Sequence, residues 1–362
     1  MLEETKSASR LDVVFARFLS KRTPFDPLQK QAFENIVMSV SYEQSQGHSC
    51  IQLDEQGRAL VLASGLAVSC SQAGDWELTA TLPLAVEKDR LYLHRYWFYE
   101  NRLEMQIKAM IKVGYSFEKL EALLDKYFSL GVDGTDWQRE AAKMAINQSF
   151  SIITDGPGTG KTTTLVKILA LLQELAEQPL HIALAAPTGK AAMRLQESIG
   201  FKNAALPCPE TIKTLITETV TTLHRLLGAK PPSPYFRHDA AKPLVYDLVV
   251  VDEASMVDLA LMSKLLDALK PGSRLILLGD KDQLASVESG AVLADLTMAL
   301  PEHTLELKKS HRFDDSMKRL AMAVNLQQED AAWQILREGN ENIAMLEQDL
   351  IDYVAAQQTD YP

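Results

Sequence analysis

The stretch SIITDGPGTGKTTTLVKILALL, residues 151–172, decides the fold because it joins an apolar strand, a glycine-rich turn and a helix. It matches the phosphate-binding pattern G-x-x-x-x-G-K-[ST], except that Asp155 stands where the pattern has glycine. The backbone N–H groups of residues 158–161 can surround a phosphate, because glycines lack the Cβ atoms that would block its approach. The following helix directs its positive end at the same group. The stretch therefore predicts nucleotide binding on an α/β fold.

The side chains of this loop have distinct predicted tasks. Lys161 supplies a positive charge to the phosphates, and the Thr162 hydroxyl ligates Mg²⁺. Asp155 closes the strand, so we expect its carboxylate to point to solvent or to a neighbouring cation. If this carboxylate faced a phosphate at ~4 Å instead, the repulsion would weaken nucleotide binding by roughly 1 to 4 kcal/mol per charge pair. The predicted nucleotide-binding residues here are Asp155, Gly156, Pro157, Gly158, Thr159, Gly160, Lys161, Thr162 and Thr163.

Two later strand-like runs end in polar residues. The run DLVVVDEAS places Asp252 to hold Mg²⁺ through water and Glu253 to polarise the attacking water. The run LILLGDKDQL places Asp280 and Gln283 at a strand end, where the glutamine can sense the γ-phosphate. Adjacent acids such as Asp252 and Glu253 favour hydrolysis of the nucleotide over transfer of its phosphoryl group to a small molecule.

The chain divides by pattern into three parts. Residues 1–133 carry helical patterns and the aromatic run DRLYLHRYWFYENRL, whose rings we assign to a core or a protein interface rather than to base stacking. This part is interpreted as a mainly helical docking domain. In residues 134–300, apolar strands alternate with amphipathic helices, which predicts a parallel sheet covered on both faces and interrupted by a small excursion at 228–248. A new unit begins at 301, with a helix over 315–325, and runs to 362.

Composition sets outer limits on function. The 362 residues carry a net charge of -11, which by itself argues against a nucleic-acid partner, although a local cationic track can lie on an acidic body. The three cysteines, at irregular spacing, form neither a disulfide framework nor a paired zinc pattern. No apolar run is long enough to cross a bilayer, and the N-terminus lacks a signal peptide's apolar core. We expect a cytoplasmic protein without a membrane partner.

Seven motifs, taken in order, resemble those of superfamily 1 helicases of the RecD type. They are TDWQREAA, DGPGTGKTT, LAAPTGKAAMRL, VTTLHRLLG, VVVDEASM, LLGDKDQLASVESG and LKKSHRF. The resemblance is strong over residues 137–313 and fainter before them. It implies that residues 134–300 form a RecA-like ATP-binding lobe and that 301–362 begin a second such lobe.

The resemblance also implies roles for single residues. Gln138 would read adenine through its two-ended amide, and Arg312 would be an arginine finger that reaches the γ-phosphate. Lys161, Asp252, Glu253, Gln283 and Arg312 would then form the catalytic set, with Thr162 and Asp252 at the metal. Contacts to the backbone of single-stranded DNA would come from Thr188, Lys190, Thr222 and His224.

At the level of the whole protein, the resemblance implies an ATP- and Mg²⁺-dependent 5′ to 3′ helicase subunit that acts on single-stranded DNA at a duplex end. It would assemble with RecB-like and RecC-like subunits in a heterotrimer for double-strand break repair and recombination, with the nuclease activity in a partner. No sequence after Phe313 matches the family's second-lobe motifs. We therefore expect this chain to bind ATP, to hydrolyse it weakly and not to unwind duplex DNA alone.

Parts of the sequence are also consistent with two other interpretations. The chain could act chiefly as an interaction module whose N-terminal domain docks on a RecC-like subunit beside an inert motor. A small-molecule kinase explains the phosphate loop but neither APTGKAA nor LGDKDQL, and is disfavoured.

Overall fold

The computed structural model describes residues 8–70, 82–128, 136–155, 160–280, 292–307, 315–325, 327–339 and 343. Residues 1–155 and 161–307 form one compact unit, and residues 156–160 and 308–362 form another. The division predicted at 133 and 134 separates two parts of the first unit and stays a prediction. Among the described residues, no helix is long and apolar enough to span a membrane.

The N-terminal region is helical, as predicted, but it also holds a small sheet that the sequence patterns did not reveal. The elements of this region are α1 (Arg10–Ser20), α2 (Pro27–Ser45), β1 (Cys50–Gln52), α3 (Glu55–Ala63), β2 (Ala67–Cys70), β3 (Leu84–Glu87), β4 (Arg90–Leu93), α4 (His94–Met110) and α5 (Leu120–Tyr127). The strands of the sheet have the order β1-β4-β3-β2, in which only β2 and β3 run parallel. The aromatic run lies over β4 and the start of α4, and Tyr92, Tyr96 and Trp97 are buried, which confirms their assignment to a core.

The first helix begins at a capping box that also ties it to the second helix. Ser9 accepts a hydrogen bond from the Asp12 N–H, and the Asp12 carboxylate accepts one from the Ser9 N–H. The Ser41 hydroxyl of α2 donates to the same buried carboxylate at 2.6 Å. Burial would raise the pKa of Asp12, but the hydrogen bonds from Ser41 and Ser9 outweigh it and hold the pKa below its ordinary value.

The large sheet confirms the predicted α/β lobe. Its six strands follow the order β10-β5-β9-β8-β6-β7, and every neighbouring pair is parallel. They are β5 (Phe150–Asp155), β6 (Ile182–Ala186), β7 (Val220–Thr222), β8 (Leu248–Val251), β9 (Arg274–Gly279) and β10 (Thr304–Leu307). The helices are α6 (Trp137–Asn147), α7 (Lys161–Leu175), α8 (Gly189–Ala204), α9 (Glu210–Lys213), α10 (Leu223–Leu227), α11 (Leu259–Ala268) and α12 (Val292–Ala299), with 3₁₀ turns at Ala254–Met256 and Pro301–His303.

Alternate residues of the central strands enter two different hydrophobic cores. Val249 and Val251 of β8 join the core that continues into the N-terminal region, whereas Leu248 and Val250 join the core formed with α6, α7 and α8. All four are fully buried. Both faces of the sheet are therefore covered, which explains why this strand is a continuous apolar run rather than an alternating one.

A polar contact between helices joins the N-terminal region to the lobe. Arg102 of α4 donates to Asp267 of α11 at 2.5 Å, and Gln106 donates to the same carboxylate. Because the side chains of Arg102 and Asp267 are only 26% and 19% exposed, this carboxylate holds α4 against α11.

The excursion predicted at 228–248 contains two isolated antiparallel bridges, Ala229 with Phe236 and Asp239 with Lys242, but no strand ladder. In the second unit, the predicted helix is confirmed as α13 (Asp315–Asn325), and α14 (Glu329–Glu338) follows it. These two helices share a small core that contains Ala323, Ile335 and Ile343.

Candidate nucleotide site and nucleic-acid edge

Five neighbouring strands end at one edge of the parallel sheet, and the predicted site residues follow them directly. The phosphate loop follows β5, Thr188 follows β6, Thr222 ends β7, Asp252 follows β8 and Asp280 follows β9. The carboxyl ends of parallel strands meet at a single edge, and ligands of open α/β sheets bind there. The fold therefore brings segments that are far apart in sequence to one surface.

The frame of the phosphate loop is as predicted. Asp155 is the last residue of β5, and Lys161 is the first residue of α7. Gly160 has φ +91°, a backbone conformation that favours glycine over every residue with a Cβ. Residues 156–159 and the side chain of Asp155 lie outside the described part of the chain, so the cradle and the orientation of that carboxylate stay predictions.

Lys161 lies beside the two carboxylates that follow β8. Its Nζ atom is 3.2 Å from Asp252 Oδ1 and 3.9 Å from Glu253 Oε1. The side chains of Lys161 and Asp252 are only 14% and 10% exposed, so water screens their attraction weakly. The predicted catalytic lysine and both predicted acids thus share one partly buried cluster.

Several buried oxygen atoms at this edge have no hydrogen-bond partner among the described residues. The contact of Asp252 Oδ1 with Lys161 lacks hydrogen-bond geometry, and within the described residues this oxygen has no hydrogen-bond partner. The Thr154 and Ser255 hydroxyls, one at the end of β5 and one after β8, are in the same state. Such buried groups cost free energy unless a ligand or water satisfies them. A carboxylate oxygen is also a preferred ligand of hydrated Mg²⁺, so Asp252 fits the predicted metal role.

Glu253 has a left-handed backbone, with φ 52° and ψ 41°. This conformation is uncommon for a residue with a side chain and costs roughly 1 to 3 kcal/mol. The 3₁₀ turn that follows fixes it through a hydrogen bond from the Met256 N–H to the Glu253 carbonyl at 3.1 Å. Strain of this kind concentrates at functional sites, which agrees with a carboxylate that must point in one direction.

Gly279, at the end of β9, permits the close approach of the turn after β8. A Cβ atom there would lie 2.8 Å from Leu293 Cδ2 and 3.1 Å from the Ser255 nitrogen. Neither this glycine nor the Glu253 strain is among the features predicted from the sequence. The glycine at the end of the buried run RLILLG was a usable signal for a close backbone approach, whereas nothing local to Glu253 indicates its conformation.

The residues predicted to contact DNA lie at, or just after, the ends of the neighbouring strands β6 and β7. Thr188 caps α8, where its hydroxyl accepts from the Ala191 N–H, and Thr222 caps α10, where it accepts from the Arg225 N–H. Each cap leaves the hydroxyl hydrogen to donate elsewhere. Ala186, at the end of β6, pairs with Thr222, so the two caps lie side by side on the edge.

The other two predicted DNA contacts are exposed close to these caps. Lys190 lies in the first turn of α8, and His224 lies in α10. Together the four residues form a polar surface beside the nucleotide cluster. Their contact with DNA stays a prediction.

Three further predicted site residues are not part of this cluster in the described part of the chain. Gln138 lies at the start of α6, which packs on α7, and its N–H donates to the capping Asp136 carboxylate. Gln283 and Arg312 lie outside the described residues. Their roles stay predictions.

Comparisons with known proteins agree with this architecture. Residues 138–289 match the family described as an AAA domain, and residues 4–81 match the family described as the N-terminal domain of RecBCD enzyme subunit RecD. The sheet, the loop frame and the lysine–carboxylate cluster define a domain of the P-loop NTPase class.

Within that class the relatives are specific. The RecBCD enzyme subunit RecD of Haemophilus influenzae is 37% identical over 334 residues, covering 82% of this chain and 52% of the relative. Its counterpart in Mycolicibacterium smegmatis is 46% identical over 270 residues, covering 73% and 48%. An ATP-dependent RecD2 DNA helicase of Deinococcus radiodurans is 42% identical over 161 residues, covering 44% and 19%. The chain therefore resembles RecD subunits over most of its own length, and it spans about half the length of these two RecD relatives.

Proposed function

We propose that the chain is the ATP-binding part of a RecD-type DNA helicase subunit of an exodeoxyribonuclease V (RecBCD) complex. The observation that carries the proposal is the convergence of Lys161, Asp252 and Glu253, with a buried oxygen of Asp252 that accepts no hydrogen bond within the described residues. A purely structural ion pair would satisfy its buried oxygens. A site for ATP and Mg²⁺ needs a carboxylate oxygen that is not already occupied by a protein hydrogen-bond donor.

The chemistry assigns a task to each residue of this cluster. Bound Mg²⁺ would neutralise charge on the phosphates, and Asp252 and Thr162 are the residues that would hold it. Lys161 would exchange its carboxylate partners for the phosphate oxygens, because a triphosphate offers more negative charge than one carboxylate. Glu253 would then be released to polarise the attacking water, with its direction set by the left-handed backbone.

Three residues complete the proposed ATP site. Gln138 would contact adenine, Gln283 would sense the γ-phosphate, and Arg312 would supply the arginine finger. These roles rest on the matching motifs of the family. They extend the site beyond the cluster formed by Lys161 and the two acids.

Single-stranded DNA would cross the edge formed after β6 and β7. The free hydroxyl hydrogens of Thr188 and Thr222 would donate to phosphate oxygens, and Lys190 would add a positive charge. Contacts to the DNA backbone alone carry no sequence information, which suits an enzyme that moves along any strand. The 5′ to 3′ direction of movement is carried over from the family.

The proposed assembly is a heterotrimer with RecB-like and RecC-like subunits in the cytoplasm, acting at duplex ends in double-strand break repair and recombination. The names of the RecD relatives support this assembly. The nuclease activity would reside in a partner subunit.

The test is ATP binding by the purified chain, followed with a fluorescent non-hydrolysable analogue with and without Mg²⁺. Lys161→Ala should weaken binding at least about tenfold, because it removes a charge-assisted contact worth roughly 1.5 to 3 kcal/mol. Lys108→Ala on α4, an exposed lysine paired with Glu104, is the control and should bind as the unchanged chain does. Equal binding by the Lys161→Ala variant would refute the proposed site.

A second candidate function, an interaction module, is favoured by the outer face of α1. Leu11, Val14 and Phe18 are 74%, 56% and 51% exposed and lie at helical spacing on one stripe. A contiguous exposed apolar stripe is typical of a protein-binding surface. The two functions are compatible, because this stripe lies in the N-terminal region and the nucleotide cluster lies at the edge of the large sheet.

A further inference from the structure

The excursion at 228–248 is fastened to the body of the lobe near its middle and near its end. Near its middle, the Arg237 N–H donates to the Leu227 carbonyl of α10 at 3.0 Å. At its end, the Leu244 N–H donates to the Ala268 carbonyl at 2.7 Å, and Lys270 Nζ donates to the Val245 carbonyl at 3.2 Å. The segment therefore has a fixed position relative to α10 and α11.

Phe236 is the residue of this segment that reaches the proposed DNA edge. Its ring centroid lies 5.7 Å from that of His224, at an interplanar angle of 57°. Phe236 is half-buried, whereas His224 is exposed. The phenyl ring thus restricts one side of an imidazole whose other side faces solvent.

Lys264 of α11 holds the phenyl ring from another direction. Its Nζ atom lies 5.3 Å from the Phe236 ring centroid and 5.7 Å from the ring centroid of Tyr99 in α4. The same ammonium donates to the Pro234 carbonyl at 3.1 Å. Cation–π contacts at these distances are attractive, so the ring that touches His224 is itself held by Lys264 of α11, whose ammonium also lies over Tyr99 of α4.

We propose that Phe236 is a positioning residue that orients the His224 imidazole for contact with single-stranded DNA. The proposal rests on the proposed function, in which His224 is one of the DNA contacts. The backbone of His224 is already fixed, because its carbonyl accepts from the Ala229 N–H at 2.9 Å. The remaining freedom is rotation of the side chain, and packing against an aromatic ring limits it before DNA arrives.

The experiment measures the affinity of the chain for a fluorescent oligothymidylate by anisotropy. Phe236→Ala should weaken binding about three- to tenfold, within the range of coupling between residues in contact. Phe236→Tyr should keep the affinity of the unchanged chain, whereas Phe236→Leu, which fills similar space without an aromatic face, should not. Val245→Ala, an exposed change in the same excursion, is the control and should have no effect.

A double-mutant cycle separates positioning from general packing. If Phe236 acts through His224, adding Phe236→Leu to His224→Ala should cause no further loss of affinity. Additive losses would overturn the proposal. If His224→Ala alone has no effect, the proposed DNA contact at His224 fails, whereas if His224→Ala weakens binding and Phe236→Leu does not, only the positioning role fails.

A spectroscopic measurement tests the contact itself without DNA. In the chain with labelled histidines, seven in all, Phe236→Leu should move the His224 ring signals because it removes the nearby ring current. Phe236→Tyr should leave them close to their original positions. Unchanged signals in the Phe236→Leu variant would show that the two rings are not in contact in solution and would overturn the proposal.

Discussion

At the scale of single residues, the left-handed backbone of Glu253 separates a requirement of chemistry from a requirement of stability. Alanine at this position keeps the Cβ that disfavours φ 52°, whereas glycine does not. We predict that Glu253→Gly is more stable than Glu253→Ala by about 1 kcal/mol, although both lose the carboxylate. Urea unfolding of the two variants measures the difference.

A neighbouring position provides the control for this comparison. Met256 lies in the following 3₁₀ turn, outside the left-handed region. The Met256→Gly variant should be less stable than the Met256→Ala variant by roughly 0.5 to 1 kcal/mol, because glycine there only adds flexibility to the unfolded chain. The same sign at both positions would show that Glu253 carries no backbone strain in solution.

At the scale of elements, the Ser41 hydroxyl links α2 to the capping box of α1. Ser41→Ala leaves the buried Asp12 carboxylate short of a donor, and we predict a loss of about 1 to 3 kcal/mol in the free energy of unfolding at neutral pH. Ser39→Ala, on the same helix, removes only an exposed bond to the Asn35 carbonyl and should change stability little.

The pH dependence of this pair has a definite sign. The pKa of folded Asp12 lies below its ordinary value of 3.8, so its contribution to stability is present above that value and is lost as the pH falls through the folded pKa. Ser41→Ala raises the folded pKa, so the acid loss should be smaller in this variant between pH 7 and pH 3. If the free energy of unfolding falls with pH by the same amount in the Ser41→Ala and Ser39→Ala variants over that range, the assignment is contradicted.

The elements also show what sequence can and cannot predict here. The run LVVV of β8 and the loop frame before Lys161 were predictable, because burial on both faces and phosphate binding each impose a local pattern. The three- and four-residue strands of the N-terminal sheet were not, since strands this short carry little pattern and, apart from the adjacent pair β3 and β4, their partners lie farther along the chain. For the same reason the contact of Arg102 with Asp267, 165 residues apart, leaves no local signal.

At the scale of the whole molecule, the acidic body and the proposed DNA edge are compatible. The net charge of -11 belongs to the full chain, whereas the proposed contacts are two capping hydroxyls, Lys190 and His224 on one edge. Hydroxyl donors neutralise no phosphate charge, so few counterions would be released on binding. Binding by this chain alone should therefore be modest and should depend on geometry, which is where the positioning of His224 matters.

Docking through the outer stripe of α1 is a property of the chain within the proposed complex. We predict that Phe18→Asp weakens association with a RecC-like subunit about tenfold or more, because a charge in an apolar interface must be desolvated. ATP binding should be unchanged, since Phe18 lies in the N-terminal helix and not at the sheet edge. Phe201→Asp on α8, an equally aromatic and 84% exposed position, is the matched control and should leave association intact. The measurement is the dissociation constant with the purified partner. If both variants lose affinity equally, added negative charge and not the α1 stripe determines docking.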